Sequence, residues 1–177
     1  MTDAWTTPVR LAELDRGVVR VRLAPDDAQR AAVAARLGLV SLPELRAELT
    51  LAPWMDGAEI TGRVEAVVEQ VCGVSLDAFT QAVESPIDLR VVPPGSPQAQ
   101  APDAPLVELD LDAPDPPDVL EGDAIDLAHY VMEHLGLSID PFPRKPGAQF
   151  DYASPDPIPS PFAVLAALKA PPKDPAS

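Results

Sequence analysis

The residues best suited to metal or acid–base chemistry lie together near position 130. His129, Glu133 and His134 form a His-x-x-x-Glu-His arrangement, whereas inverted zinc-peptidase motifs have a shorter spacing before the Glu-His pair. Five positions along a helix correspond to about 500°, so the two imidazoles diverge by about 140°. Zinc ligands on one helix need neighbouring faces. We therefore interpret these side chains as ordinary helix residues and expect no bound metal and no cofactor.

Cys72 is the single cysteine of the chain. A lone cysteine at the end of a predicted strand is more often a small buried apolar group than a nucleophile, and neither histidine is near in sequence to act as its base. It cannot form an intrachain disulfide, which suits a reducing cytoplasm. Because the sequence also lacks the common phosphate-binding and serine-nucleophile motifs, we expect no enzymatic activity and no catalytic residues.

The formal net charge of -15 is distributed unevenly along the chain. Residues 1–63 hold 8 arginines and 9 acidic residues, while the remainder holds 5 basic and 19 acidic residues. A strongly acidic surface argues against broad binding to a nucleic-acid backbone, which requires positive charge and counterion release. It fits a protein whose partners are basic.

Two charged groups are candidate contact sites: four arginines between residues 10 and 22, and four aspartates between residues 110 and 118. The basic group is either a solvated surface or a local contact for RNA phosphate, and no aromatic residues interleave with it to stack on bases. The acidic group lacks the glycine and the terminal glutamate of a calcium loop, so we interpret it as a surface for a basic partner. The basic group is Arg10, Arg16, Arg20 and Arg22; the acidic group is Asp110, Asp112, Asp115 and Asp118.

Hydrophobic periodicity predicts the elements that position these residues. Alternation predicts half-buried strands, and Pro86 must then lie at a strand edge or a bulge. Helices are predicted over about 26–37, capped by Asp26 and ended by Gly38, and over about 124–136, capped by Asp123 and ended by Gly136. The predicted strands are residues 18–23, 44–52, 59–72, 79–92 and, in addition, 106–112.

Short connections between the strands favour an antiparallel meander. The predicted fold class is therefore α+β, an antiparallel sheet or partial barrel with two main helices and proline-rich irregular segments. We expect residues 1–150 to form one domain with a flexible excursion at about 93–105, and residues 151–177 to form a proline-rich tail with an apolar segment at 161–170. The sequence shows no secretory signal and no apolar run long enough to cross a membrane, so we expect a cytoplasmic protein.

Two segments together resemble the YceD family of large ribosomal RNA subunit accumulation proteins. Residues 67–79 are similar to the family's strand, cysteine-centred turn and following strand that leads on from a phenylalanine. Residues 125–137 are similar to its Asp-Leu entry into a helix that ends in Glu-x-Leu-x-Leu, and the proline-containing exit at 140–144 follows. The resemblance covers about 59–150, with a weaker match at 161–169. The positions that carry it are Cys72, Phe79, Asp126, Leu127, Glu133, Leu135 and Leu137.

The chain departs from the family pattern at the turn. Many members carry Cys-x-x-Cys there and further cysteines near the C-terminus, which suggests a metal site. Here Ser75 takes the second position and residues 143–147 contain no cysteine, so the metal does not carry over.

The resemblance implies a bacterial factor that supports synthesis, processing or accumulation of large-subunit (23S) ribosomal RNA, and it supplies no catalytic residues. We predict a non-catalytic ribosome-biogenesis factor that acts on ribosomal RNA directly or indirectly. One alternative is an acidic chaperone or adaptor for a basic large-subunit ribosomal protein. Another is an unrecognised enzyme of ribosomal RNA processing.

Overall fold

The computed structural model describes residues 5–99 and 115–150. The elements in chain order are β1 (Pro8–Arg10), a 3-10 helix (Leu11–Arg16), β2 (Val19–Leu23), α1 (Asp27–Leu37), β3 (Ser41–Trp54), β4 (Gly57–Val71), β5 (Ala78–Val92), β6 (Asp118–Val119), β7 (Ala124–Asp126) and α2 (Leu127–Ser138). The predicted strand at 106–112, most of the predicted excursion beyond residue 99 and the tail from residue 151 lie outside the described residues.

The main sheet has five strands in the order β2-β3-β4-β5-β6. Its neighbours pair antiparallel, except that β6 runs parallel to the end of β5. A separate two-stranded sheet joins β1 to β7. The sheet does not close into a barrel, so the predicted α+β class is confirmed in its open-sheet form.

The period-two alternation predicted for the long strands is present in the structure. One face of β3 and β4 forms the core, and the opposite face carries charged and polar side chains. The buried residues of these two strands include Leu45, Ala47, Leu49, Leu51, Ile60, Val64, Ala66 and Val68. Both strands are longer than predicted, and the pairing of β3 with β4 is irregular between Ser41 and Glu44, which is where Pro43 interrupts the pattern.

Pro86 of β5 and Gly62 of β4 lie at positions where the sheet restricts the type of residue. Pro86 pairs with Arg63 of β4, and within the described residues no strand pairs with β5 on its other side at that position, as predicted for an edge. Gly62 lies opposite Leu49, where a Cβ atom would come within 2.1 Å of the Glu48 carbonyl oxygen. The two strands approach so closely that only glycine fits.

Helix α1 agrees with the prediction at both ends. The Asp26 side chain accepts a hydrogen bond of 2.8 Å from the Gln29 N–H, and the Gln29 side chain bonds back to the Asp26 N–H. This reciprocal arrangement satisfies two backbone donors that the helix leaves free. Gly38 follows the helix in the left-handed conformation with a φ of 69°.

The predicted boundaries of helix α2 are wrong at both ends. The helix begins at Leu127 with Asp126 as its N-cap, because residues 124–126 pair with β1 as strand β7. Asp123 therefore lies in the preceding loop. Gly136 does not end the helix; it lies within it, close to the Leu37 side chain of α1. The predicted apolar stripe is buried as expected.

Residues 93–99 form turns beside the β3–β4 connection. Ser96 is buried, and its hydroxyl donates a hydrogen bond of 2.9 Å to the Asp56 carboxylate. The start of the proline-rich segment is thus attached to the end of the sheet. Among the described residues, no helix combines the length and the apolar character needed to cross a membrane.

Candidate functional site

The Asp-Leu pair at the start of α2 holds the helix to the N-terminal segment. Asp126 Oδ1 accepts hydrogen bonds from the Ala128 N–H at 3.2 Å and from the Thr7 N–H at 2.7 Å. The Leu127 N–H donates to the Thr7 carbonyl at 3.0 Å, and the Leu127 side chain is fully buried. Both residues therefore have a structural role, since they fix α2 against β1.

The C-terminal half of α2 has both a core face and a surface face. Leu135 is fully buried, whereas Leu137 is 78% exposed and Glu133 is also exposed. Phe79, at the start of β5, is half-buried. Of these positions, Glu133 and Leu137 are the two that a partner could reach.

Cys72 lies at the tip of the β4–β5 hairpin, where it is fully buried. Three backbone N–H groups donate to its sulfur: Val74 and Ser75 at 3.4 Å each, and Lys145 at 3.3 Å. The Gly73 N–H also donates to the Pro143 carbonyl at 2.9 Å. The segment that follows α2 is therefore hydrogen-bonded to the hairpin turn, with the sulfur as the common acceptor.

These donors favour the thiolate form of Cys72. Hydrogen bonds from the Ser75 side chain and then from the backbone N–H groups of Ser75 and Lys145 lower the pKa of the thiol from its ordinary value to about 6, against the opposing effect of burial. Lys145 also forms an ion pair of 3.2 Å with Asp77, and this contact holds the pKa of Asp77 below its ordinary value.

The same turn can be tested as a metal site. The structure brings residues 143–145 to the Cys72 turn, but their contacts with it are backbone groups and Lys145, not further thiolates. Within residues 5–99 and 115–150, no three side chains of His, Cys, Asp or Glu are grouped so that they could hold a metal ion. The donor set does not fit the metal site that the resemblance suggests for other members.

The two histidines of α2 face different grooves. His129 borders a groove with Arg36 and Asp126, whereas His134 borders a groove with Asp88 and Leu89. The His129 ring nitrogen lies 4.0 Å from the Glu133 carboxylate, one helical turn away. This geometry is that of two ordinary surface residues and agrees with the divergence predicted from their spacing.

The four candidate RNA-contact arginines lie on three different elements. Arg10 is in β1, Arg16 is at the end of the 3-10 helix, and Arg20 and Arg22 project from the exposed face of β2. The prediction that Arg20 and Arg22 share a face is confirmed by their exposure.

Register pairing places glutamates among the arginines on the outer face of the sheet. Arg22 is 3.1 Å from Glu48, and Glu65 binds both Arg46 and Arg63, the latter at 3.0 Å. Opposite charges directly across neighbouring strands attract one another. The outer face of β2–β4 is consequently mixed in charge rather than basic. The pairs Arg22–Glu48 and Arg46–Glu65 join neighbouring strands, so they could not be predicted before the register was known.

The two members of the acidic group that the structure describes lie beside α2. Asp110 and Asp112 lie outside the described residues, and Asp115 and Asp118 border a groove of about 390 Å³ together with Asp88 and Glu133. Burial and the nearby Glu133 carboxylate raise the pKa of Asp118, although a hydrogen bond from Tyr130 opposes the shift. Asp88 of β5 and Glu133 of α2 could not be predicted from the sequence as members of this acidic groove, because they lie on elements that are distant in the chain.

The architecture defines an acidic α+β protein with an open, mainly antiparallel sheet and charged surfaces on the sheet and beside α2. The family model of the large ribosomal RNA subunit accumulation protein YceD matches residues 60–169. The chain therefore belongs to the YceD family. No curated protein and no solved structure matches it.

Proposed function

We propose that this protein is a non-catalytic, cytoplasmic ribosome-biogenesis factor of bacteria that supports synthesis, processing or accumulation of 23S ribosomal RNA. The observation that carries the proposal is the family match over residues 60–169, whose description is large ribosomal RNA subunit accumulation. The match includes the hairpin turn at Cys72, the described residues that line the acidic groove and the whole of α2.

The proposed mode of action is contact with a basic large-subunit ribosomal protein. Two features support this mode over direct binding of naked RNA. Arg22, Arg46 and Arg63 already have glutamate partners on the sheet, which reduces the positive charge that its outer face offers to phosphate. Asp115 and Asp118, in contrast, border an acidic groove that would attract a basic partner.

The direct test has a genetic part and a binding part. Deletion of the gene is expected to reduce mature large subunits and to leave precursor 23S RNA. Purified protein is then titrated against large-subunit RNA and against basic large-subunit proteins at several salt concentrations. We expect binding to a basic protein that weakens as salt rises, because exposed charges are screened over about 8 Å at physiological ionic strength.

Matched variants separate the two charged surfaces. Replacing Asp110, Asp112, Asp115 and Asp118 with asparagine is expected to slow association with the basic protein. Replacing Arg20 and Arg22 with glutamine is expected to have less effect. Tight binding of RNA without any protein partner, lost in the arginine variant, would contradict the adaptor mode. An unchanged subunit profile after deletion would contradict the biogenesis role.

A further inference from the structure

Strand β5 has a long edge without a strand partner among the described residues. On one side it pairs with β4 from Ala78 to Val91. On the other side it pairs with β6 at Val91 and Val92 alone, which leaves residues 78–90 unpaired there within the part of the chain that the structure describes. The free N–H and C=O groups of such an edge can bind an additional strand.

A groove borders this edge. It has a volume of about 390 Å³ and lies between the end of β5, residues 115–118 and the C-terminal half of α2. Its apolar surface comes from Leu89, which is half-buried, and from Leu137, which is 78% exposed. A strand that paired with β5 would thus find an apolar contact for one of its side chains beside the edge.

The charges around the edge select the kind of strand that can bind. Glu84 and Asp88 are exposed on β5, and neither forms an ion pair among the described residues. Asp118 and Glu133 add negative charge to the lining of the groove, and the one arginine of that lining, Arg90, is paired with Glu59 at 3.1 Å. Charged residues and Pro86 are usual devices against edge-to-edge association. With a net charge of -15, a second copy of this chain would be repelled, whereas a basic segment would be attracted.

We propose that the free edge of β5, with the groove beside it, binds an extended basic segment of a partner protein by strand addition. Backbone hydrogen bonds join the segment to β5, an apolar side chain of the segment packs on Leu89 and Leu137, and lysine or arginine side chains face Asp88 and Glu133. The inference rests on the proposed function for the class of partner, and it adds where and how that partner binds.

The test uses the full chain and a fluorescent peptide of about ten residues that alternates lysine and valine, a length typical of a strand. Binding is measured by fluorescence anisotropy. The Asp88→Asn/Glu133→Gln variant is expected to raise Kd roughly 3- to 10-fold, as the loss of two partly exposed ion pairs implies. A matched variant, Asp15→Asn/Glu44→Gln, removes the same charge from other exposed positions, and its Kd is expected to stay within about 2-fold.

Backbone pairing is tested with two further peptides that carry N-methyl groups on alternate residues. Each methylated set blocks the amides on one edge of the peptide while all side chains are kept. Strand addition predicts that one pattern abolishes binding and the other is tolerated. It also predicts that amides within residues 78–90 gain protection from hydrogen exchange when the peptide binds.

Four outcomes would overturn the proposal. The first is equal binding of both methylated peptides, which would mean that charge alone acts. The second is displacement of the peptide by single-stranded RNA of the same length with a lower Kd. The third is no binding to the full chain but binding after removal of residues 100–114, which would mean that the chain covers its own edge. The fourth is no peptide binding in either form; if a basic ribosomal protein still binds, the proposed function stands and only this inference fails.

Discussion

Substitution of Asp126 tests how α2 is held in the fold. One carboxylate oxygen of Asp126 accepts hydrogen bonds from Ala128 N–H, within the helix, and from Thr7 N–H, at 2.7 Å. Loss of an N-cap side chain costs about 1 kcal/mol. Loss of a hydrogen bond to a charged group costs about 1.5–3 kcal/mol. Asp126→Ala is therefore expected to lower the free energy of unfolding by about 2–4 kcal/mol.

Urea denaturation followed by circular dichroism measures this change. With a slope of about 2 kcal/mol/M, the middle of the range for small proteins, the midpoint is expected to fall by about 1–2 M. Asp126→Asn keeps an oxygen acceptor but removes the charge, so it is expected to lose about half as much. The slope itself is expected to stay unchanged, because the variant exposes the same surface on unfolding.

Asp123→Ala is the matched control for this experiment. Asp123 is exposed, and its backbone carbonyl, which the substitution keeps, accepts the Leu11 N–H. Its free energy of unfolding is expected to stay within about 0.5 kcal/mol of the parent. Equal destabilisation by Asp123→Ala and Asp126→Ala, or a change of less than about 0.5 kcal/mol in Asp126→Ala, would refute the assignment of Asp126 as the link between α2 and β1.

Two further predictions concern the sheet and its hairpin tip. Gly62→Ala is expected to lower the free energy of unfolding by about 1–3 kcal/mol, as for overpacked sites, because its Cβ would lie 2.1 Å from a backbone oxygen of β3. Thermal denaturation measures the change. Gly122→Ala, which has open space around its Cβ, is the control. The thiol of Cys72 has a pKa lowered to about 6, so the thiolate contributes stability above its unfolded pKa of about 8.5 and loses that contribution as pH falls through 6. The stability difference between the parent and Cys72→Ala is expected to be larger at pH 9 than at pH 6, and absorbance at 240 nm is expected to report thiolate formation near pH 6; a midpoint near 8.5 in the folded protein would contradict the hydrogen-bonded arrangement.

The long strands and α1 could be predicted because their signals are local. Alternation over many residues marks a half-buried strand without reference to its partners, and the capping residues Asp26 and Gly38 lie within one turn of the helix that they bound. The short strands could not be predicted in this way. Strand β1 exists because Val9 pairs with Ile125, far along the chain, and three residues are too few to show a period.

The start of α2 shows why local rules fail where two candidates compete. Asp123 and Asp126 are equally good N-cap residues, and both precede the apolar stripe of the helix. The choice is made by tertiary contacts, since pairing of β7 with β1 keeps residues 124–126 extended and brings Thr7 to Asp126. The candidate site has the same limitation, because Asp88 and Glu133 become neighbours only when α2 packs on β5.

The fold places the charges of the two parts of the chain on different regions of the surface. Three of the four arginines on β2–β4 pair with glutamates of the sheet, two of them across strands and Arg63 with Glu65 of its own strand, so this part of the sheet produces little net field. The carboxylates of the remainder include Asp88 of β5 and Glu133 of α2, which border the groove. A basic partner would therefore be steered toward the β5 edge, where, within the described residues, the backbone groups of residues 78–90 lack a strand partner on one side. Long-range attraction and short-range hydrogen bonding would act at the same place, so added salt is expected to slow association more than it speeds dissociation.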